Sequence, residues 1–151
     1  MEILENQYLS VESLLSYKTR TTYKKLGLLI KHLDNNLSLL GFKKTGNTIF
    51  TLTENRYGND EPIIDVEIMI PVEESFKSNE YYVYKPRVVL ANALKLRCSY
   101  NYCELYEARN KIQKYIFLNS YIPITNYYYK LISNGIQEVF DIYISINENI
   151  L

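Results

Sequence analysis

Two stretches of the chain space their apolar residues as an amphipathic helix does. The first repeats with a 4-3-4-3 spacing through Leu26, Ile30, Leu33, Leu37 and Leu40. This spacing places the apolar side chains on one face and predicts a helix from about Arg20 to Leu40. Thr21 or Thr22 is suited to cap its start, and Gly41 to end it in a left-handed conformation.

The second stretch predicts a helix from about Tyr100 to Asn119, with Ser99 as its cap. Its apolar face consists of Leu105, Ala108, Ile112, Tyr115 and Ile116. Each predicted helix has one face for a core and one for solvent. We therefore expect both to pack against a sheet.

Short segments rich in Val, Ile, Leu and Tyr surround both helices and predict strands. They cover residues 8–17, 48–53 and 63–72 around the first helix, and 88–98, 127–132 and 139–146 around the second. A polar loop, 54–61, separates the second and third strands. Ser133-Asn134-Gly135 predicts a hairpin between the last two, because Asn and Gly tolerate positive φ.

The order strand-helix-strand-strand thus occurs twice, with corresponding elements about 80 residues apart. We predict an α+β fold of duplicated βαββ units, with an antiparallel sheet and two helices on one of its faces. Leu33 and Ile112 would be buried equivalents. The halves would be 1–72 and 88–151, within one domain, 1–151. The connector, 73–87, includes Tyr81–Tyr84, which has the composition of a short strand.

Length and charge narrow the classes of function. The chain has 151 residues, which suits one domain. Seventeen basic residues balance seventeen acidic ones, and no basic run offers the surface that nucleic acid requires. There is neither a signal-peptide pattern nor an apolar stretch of about 20 residues that would span a bilayer. We expect a cytoplasmic protein that does not insert into the membrane and does not bind nucleic acid.

One strand carries two carboxylates in alternation with apolar residues. Between Ile64 and Val72, every second side chain is apolar, and Asp65, Glu67 and Met69 point to the opposite face. Such a pair of carboxylates can perform acid-base chemistry if burial raises one pKa, and a buried glutamate can neutralise a cationic ligand. A solvated strand face remains the third interpretation.

Other reactive side chains are few. His32 is the only histidine, and its position next to the apolar helix stripe predicts an exposed side chain. Cys98 and Cys103 are too few for a disulfide framework or a zinc site, so we expect reduced structural thiols. The chain has no phosphate-binding glycine loop and no nucleophile elbow. We therefore expect no catalytic residues, no metal, no cofactor and no enzyme activity.

Tyrosine is the unusual residue, with sixteen copies and no tryptophan. Tyrosine suits protein interfaces, because its ring is apolar while its hydroxyl can stay hydrated. High β-propensity alone is the other explanation. Tyr81, Tyr82 and Tyr84 lie in the connector, where a core cannot absorb all three, so they are candidate partner-binding residues. Tyr82 and Tyr84 would share one side, and at least one tyrosine would face solvent.

Several segments resemble a known superfamily. The segment 65–72, with its acidic-Val-Glu start and Pro-Val end, and the second half from about Arg97 resemble the gyrase-inhibitor-like effector-binding superfamily, whose fold is also described as SOUL-like. The segments 66–74, 106–110 and 123–129 resemble a narrower branch, encoded in type VII secretion loci of Gram-positive bacteria.

This resemblance implies a cytoplasmic chaperone or targeting factor. Its partners would be a secreted nuclease toxin of the same locus and the membrane ATPase of the secretion system, with small helical co-secreted proteins as further partners. The alternative is a small-molecule effector-binding domain, or a minor hydrolase, with an acidic cleft between the halves formed by Glu67 and Asp65. The Gly-Pro that relatives carry before the second helix is replaced here by Cys98-Ser99-Tyr100, which favours protein binding.

Overall fold

The computed structural model describes residues 2–55, 61–99, 101–133 and 138–148, with Cys103 and Glu148 described by their backbone alone. Within these residues the chain forms two α-helices, a short 3₁₀ turn at Tyr102–Glu104 and seven strands that pair mostly in antiparallel fashion. The helices are α1 (Tyr23–Asn36) and α2 (Leu105–Leu118). The strands are β1 (Ile3–Thr22), β2 (Ile49–Asn55), β3 (Ile63–Pro71), β4 (Val83–Ser99), β5 (Tyr121–Pro123), β6 (Tyr128–Ser133) and β7 (Glu138–Glu148). The predicted α+β class is confirmed.

The described residues form two compact units. One consists of residues 11–88, and the other contains residues up to Ser10 and from Val89 onward. The strands β1 and β4 each contribute residues to both units. The hairpin residues Asn134 and Gly135, most of the predicted loop 54–61, and Tyr100 lie outside the described residues.

In the unit of residues 11–88, β3 is the central strand and pairs with β1 and β2. Leu15 lies opposite Ile70, and Phe50 lies opposite Ile68. The predicted alternation in β3 is confirmed, since its apolar positions Ile64, Val66, Ile68 and Ile70 are all buried. Helix α1 contacts β3 and buries Leu26, Ile30 and Leu33. This apolar layer forms the core of the unit.

The end of α1 corrects one predicted core residue. Leu37 is buried, but Leu40 is 48% exposed, because the helix ends at Asn36 and a turn follows. The Gly41 N–H donates to the Ser38 carbonyl, the Phe42 N–H donates to the Leu37 carbonyl, and Gly41 has φ +85°. These two bonds and the left-handed glycine are a Schellman motif, as the position of Gly41 predicts.

Helix α1 starts three residues after the predicted start, and one of its two predicted caps occupies the N-cap position. Thr22, and not Thr21, occupies the N-cap position, with extended backbone angles. Its side chain makes no capping hydrogen bond, and its buried Oγ1 has no hydrogen-bond partner in the described part of the chain. The burial of the apolar face therefore holds this helix in place more than its cap does.

In the other unit, β7 is the central strand and pairs with β4, β6 and β5. Leu96 and Tyr129 lie on either side of Ile142. Helix α2 buries four of the five predicted residues, namely Leu105, Ala108, Ile112 and Ile116. The fifth, Tyr115, is half-buried, because its hydroxyl reaches a surface carboxylate.

The predicted cap of α2 is wrong. Ser99 ends β4, and its hydroxyl donates to the Glu104 carboxylate at 2.6 Å. The 3₁₀ turn Tyr102–Glu104 follows, and Glu104 occupies the N-cap position of α2. The helix consequently begins at Leu105, five residues after the predicted start.

The strands β1 and β4 are longer than the local pattern predicts. β4 begins at Val83, so residues 83–87 are part of a strand and not of the predicted connector. Pro86 interrupts the local strand signal, although proline is accepted in strands where its missing N–H is not needed. Pairing with strands that are distant in sequence extends β1 and β4 beyond the residues with high local β-propensity.

Candidate functional site

Glu67 lies at the centre of the three-strand arrangement formed by β1, β3 and β2. In register it is opposite Lys18 of β1 and Thr51 of β2. Its side chain points to the face opposite the buried apolar positions of β3 and is only 13% exposed. Glu67 is therefore a largely buried carboxylate on a strand that pairs with another strand at each edge.

Two side chains donate hydrogen bonds to the same oxygen of Glu67. The Lys85 Nζ lies 2.6 Å from Oε2, and the hydroxyl of the buried Ser16 donates to Oε2 at 2.5 Å. Lys85 belongs to the first residues of β4, and Ser16 to β1. We refer to Ser16, Lys18, Glu67 and Lys85 as the Glu67 cluster.

Burial and these partners act on the pKa of Glu67 in opposite directions. Burial raises the pKa of Glu67, whereas the hydrogen bonds from Lys85 and Ser16 and the charges of Lys85 and Lys18 lower it. The net result is a pKa below the ordinary value. Glu67 is therefore ionised at neutral pH, which does not suit a general acid.

Asp65 shares the face of Glu67 but lies in a more open environment. Its Oδ1 accepts a hydrogen bond from the Arg20 Nε at 2.8 Å, directly across the strand pair. The hydrogen bond from Arg20 lowers the pKa of Asp65. A general acid and a general base at one site need pKa values that are shifted in opposite directions. The pKa values of Asp65 and Glu67 are both lowered. The arrangement of Asp65 and Glu67 is that of two ion pairs and not of an acid-base pair.

The predicted partner-binding tyrosines differ in exposure. Tyr81 is 69% exposed, in agreement with the expectation that at least one tyrosine faces solvent. Tyr82 and Tyr84 are half-buried; their ring centroids lie 5.9 Å from Tyr17 and 5.4 Å from Phe76, respectively. Tyr81 is thus the freely accessible member, and the other two also support the fold.

Hydrogen bonds from the backbone to two side chains stabilise the segment that contains these tyrosines. The Asn79 Oδ1 accepts hydrogen bonds from the backbone N–H groups of Tyr81 and Tyr82, both at 2.8 Å. The Ser78 hydroxyl accepts one from the Tyr84 N–H at 2.9 Å. Asn and Ser commonly stabilise turns in this way. Tyr81 is therefore held outward by a defined turn.

Sequence reasoning missed three members of the Glu67 cluster, namely Ser16, Lys18 and Lys85. Ser16 carries a weak signal, because it is a polar residue next to the apolar Leu14 and Leu15. Lys85 carries none, because it lies in a proline-containing segment and meets Glu67 only after β3 and β4 have formed. Its role is visible in the tertiary structure alone.

A second carboxylate, Asp141 of β7, is more deeply buried. Its side chain is 2% exposed, and Arg97 donates to both of its oxygens, at 2.8 and 3.0 Å. The Lys95 Nζ lies 3.5 Å from Oδ2. Two cations therefore neutralise one carboxylate through a bidentate and a longer contact, an arrangement that stabilises a strand pair.

The remaining reactive side chains offer little chemistry. His32 is exposed, as predicted. Cys98 is buried, and burial together with the charges of Glu104 and Asp141 raises its pKa to about 11, so that it is a protonated thiol at neutral pH. The side chain of Cys103 lies outside the described residues. Among the described residues, no group of three or more His, Cys, Asp or Glu could hold a metal ion, and neither helix is long and apolar enough to cross a membrane.

Solved structures of EcmrR have a fold similar to that of this chain. The chain superimposes on the C-terminal domain of EcmrR with a TM-score of 0.68 and 16% identity, covering 99% of this chain and 100% of that domain. It also superimposes on EcmrR in a complex with DNA, with a TM-score of 0.71 and 14% identity, covering 97% of this chain and 58% of that one. No family model matches the chain, and no curated protein matches it.

Proteins of Listeria innocua are more distant neighbours. An uncharacterized conserved protein gives a TM-score of 0.56 at 5% identity, and a hydrolase gives 0.53 at 6%; both alignments cover 95% of this chain and 92% of the other. At these identities the likeness establishes the fold alone. The chain spans 58% of EcmrR in the DNA complex, so what EcmrR binds is a property of that longer protein.

Proposed function

We propose that this chain is a cytoplasmic chaperone or targeting factor of a type VII secretion system, as its resemblance to EsaE-type chaperones implies. It binds a secreted nuclease toxin of the same locus and helps to deliver it to the membrane ATPase. Small helical co-secreted proteins are further partners. The proposal includes no catalysis, cofactor, nucleic-acid binding or membrane insertion.

The observation that carries this proposal is the ion pair between Glu67 and Lys85. A buried carboxylate without an internal cation would favour a sensor of cationic compounds, because the ligand would then supply the stabilising charge. In this chain the ammonium of Lys85 already lies 2.6 Å from Glu67. The exposed ring of Tyr81 on an ordered turn is, by contrast, an accessible contact for a protein.

We also propose the finer fold assignment, two duplicated βαββ units of the gyrase-inhibitor-like type. The strand order β1–β3–β2 has a counterpart in β4–β7–β6. The cross-strand pairs Arg20–Asp65 and Arg97–Asp141 occupy matching places, with residue numbers about 76 apart. The strand β5 is an addition to the second unit.

The proposed duplication makes the Glu67 cluster asymmetric. The position in β7 that matches Glu67 of β3 is Tyr143, two residues after the aspartate in both strands. A carboxylate thus occurs in one unit only. Two equivalent acidic ligand sites are not part of the proposal.

The proposal is tested by co-expression of the chain with the nuclease toxin from the same locus, followed by co-purification and titration calorimetry. We expect a complex that forms equally well with the Glu67→Gln variant and more weakly with Tyr81→Ala. Exposed Tyr8→Ala serves as a matched control. Failure of the purified proteins to associate would refute the chaperone function.

A small-molecule effector-binding domain, or a minor hydrolase that uses Glu67 and Asp65, is the alternative. The two carboxylates on one face of β3 are the feature that favours it. Binding of a lipophilic cationic dye tests it. The chaperone proposal expects no dye binding by the unmodified protein. Tight dye binding that Glu67→Gln abolishes, together with no toxin binding, would establish the alternative.

A further inference from the structure

We infer that the sheet face that carries Asp141 binds a small organic dianion, of the kind presented by a phosphate monoester or a dicarboxylate. The site lies within one unit, on β4, β7 and β6. It consists of Lys95, Arg97, Lys130 and Tyr143 around Asp141, and we call it the anion site. The inference is independent of toxin binding and of the Glu67 cluster.

The register of the three strands places these side chains on one face. Arg97 of β4 and Lys130 of β6 lie directly opposite Asp141, one on each side of β7. Lys95 of β4 lies opposite Tyr143, two residues further along β7. Directly opposite residues of antiparallel strands share a face, with Cβ atoms about 5 Å apart, and so do alternate residues of one strand. Three cations and a tyrosine therefore surround one carboxylate.

The charges of the anion site do not cancel. Arg97 donates to both oxygens of Asp141, at 2.8 and 3.0 Å, and the Lys95 Nζ lies 3.5 Å from Oδ2. Lys130 makes no ion pair and no hydrogen bond within the part of the chain that the structure describes. Three cations against one carboxylate leave a surplus of two positive charges on this face.

Neighbouring acids do not balance this surplus. The strands β4 and β6 contain no acidic residue. Glu138 of β7 lies three residues before Asp141, so the alternation of the strand turns it to the opposite face. Glu104 lies after the end of β4, where its carboxylate accepts the Ser99 hydroxyl at 2.6 Å. Even with Glu104 included, the cations outnumber the carboxylates.

A buried hydroxyl is a second, independent indication of a ligand. Tyr143 is 5% exposed, and its hydroxyl makes no hydrogen bond with the described residues although it is not fully enclosed. Burial, followed by the charge of Asp141, raises the pKa of Tyr143, so the hydroxyl keeps its proton at neutral pH. The Lys95 Nζ lies 5.8 Å from the centre of the tyrosine ring. Buried donors are normally paired, and an anionic oxygen beside Lys95 would accept this one.

Arg97 keeps donors for a ligand after it has paired with Asp141. Its Nε and Nη2 bind the two carboxylate oxygens, but a guanidinium has five N–H donors. The Arg97 side chain is 56% exposed, so its remaining N–H groups are accessible. Guanidinium and ammonium groups together are the usual donors to phosphate and carboxylate.

The unit of residues 11–88 lacks the two features that define the anion site. There Asp65 lies between Arg20 of β1 and Thr53 of β2, and Glu67 follows two residues further along β3. A threonine thus occurs in place of Lys130, and a second carboxylate in place of Tyr143. The unpaired lysine and the buried free hydroxyl therefore do not follow from the strand pairing itself.

A small ligand suits the anion site better than an acidic segment of a protein. The Lys95 side chain is 21% exposed, and both Asp141 and Tyr143 are buried, so most of the polar groups are recessed. A small dianion can approach recessed groups, whereas an acidic peptide would lie mostly over the surrounding surface. The surplus of two charges also complements a dianion better than a monoanion.

Isothermal titration calorimetry with the full chain, in a buffer without phosphate or carboxylate, tests the inference. Phenyl phosphate and phthalate are dianions, benzoate is a monoanion and benzyl alcohol is neutral, so the ring is matched while the charge varies. We expect saturable binding of a dianion, at least about tenfold weaker binding of benzoate, and no binding of benzyl alcohol. The tighter of the two dianions identifies the ligand as a phosphate monoester or a dicarboxylate.

Variants assign the binding to the anion site. Lys130→Gln should weaken dianion binding at least about tenfold, because it removes a charged donor, and Lys130→Arg should retain binding. Tyr143→Phe removes a neutral donor and should weaken binding about two- to tenfold. Lys31→Gln and Tyr8→Phe change an exposed lysine and an exposed tyrosine elsewhere and should have no effect. Lys95→Gln is a second route to the site if Lys130→Gln does not fold.

Four outcomes would overturn the inference. They are no saturable binding of either dianion, equal binding of benzoate and the dianions, unchanged dianion binding by the folded Lys130→Gln and Lys95→Gln variants, and tighter binding of an oligoglutamate peptide than of phenyl phosphate. The last would assign this face to an acidic protein segment. None of these results bears on toxin binding, which co-purification measures separately.

Discussion

The ammonium of Lys85 lies 2.6 Å from the carboxylate of Glu67, so the chain supplies its own counter-ion to the largely buried acid of β3. Ser16 donates to the same oxygen. A buried carboxylate without such partners would be raised in pKa and would attract an external cation or proton. Here the internal partners satisfy the charge, and the site is stabilised in its ionised form.

The first prediction is a pH-dependent stability difference between the protein and its Glu67→Gln variant. The pKa of Glu67 is lower in the folded state than the ordinary value of about 4.3. Its contribution is therefore present above about pH 4.3 and is lost as the pH falls through the folded-state pKa. We expect the variant to be less stable at pH 7 by roughly 1–3 kcal/mol.

Urea unfolding at several pH values between 7 and 3 measures this difference. Asp65 and Glu5 also have lowered pKa values, so both proteins lose stability in acid. The informative quantity is the difference in stability between the two proteins, which should narrow as the pH falls below about 4.3. A gap that stays constant over this range would show that the charge of Glu67 does not contribute.

The second prediction compares two matched aspartates. Asp141 is buried beneath Arg97 and Lys95, whereas the pair Arg20–Asp65 is exposed at both ends. Asp141→Ala should cost about 1–3 kcal/mol, because the hydrogen bonds from Arg97 to a buried carboxylate are lost, whereas the exposed Arg97 guanidinium that remains stays hydrated. Asp65→Ala should cost distinctly less, as is usual for surface ion pairs. Chemical denaturation of the two variants measures both; equal costs would contradict the difference in burial.

The third prediction separates binding from stability among the connector tyrosines. Tyr81→Ala should weaken toxin binding and leave the unfolding midpoint unchanged, since the ring is mostly in solvent. Tyr82→Ala and Tyr84→Ala should each also lower stability by about 1 kcal/mol or more, because each loses an aromatic contact. Calorimetric titration and thermal unfolding measure the two effects. Unchanged toxin binding by Tyr81→Ala would remove this turn from the interface.

The fourth prediction concerns the core of α1. Leu33→Ala should cost about 2 to 5 kcal/mol, because it opens a cavity beneath the helix. Leu39→Ala, on an exposed position after the helix, should cost less than about 0.5 kcal/mol. Urea unfolding distinguishes them, and similar costs would place Leu33 outside the core.

The sequence by itself determined both helices and six of the seven described strands, with β5 as the exception. The stripe on α1 and the alternation in β3 depend on local periodicity, and Leu33 and Ile68 are buried as predicted. Gly41 was also predictable from a local requirement, because few residues other than glycine accept its positive φ. At Leu40 and Ser99 the local pattern did not show where the neighbouring helix ends or begins.

The tertiary structure alone decided the chemistry of Glu67 and the exposure of Phe117 and Leu118. Alternation places Glu67 on a strand face, but its ionised state depends on Lys85, which arrives from a different strand. Likewise, Phe117 and Leu118 have the sequence pattern of ordinary helix residues, and their exposure is visible only in the folded chain. The physical reason is the same in both cases: periodicity assigns a side chain to a face, whereas its charge state and exposure depend on distant residues that folding brings into contact.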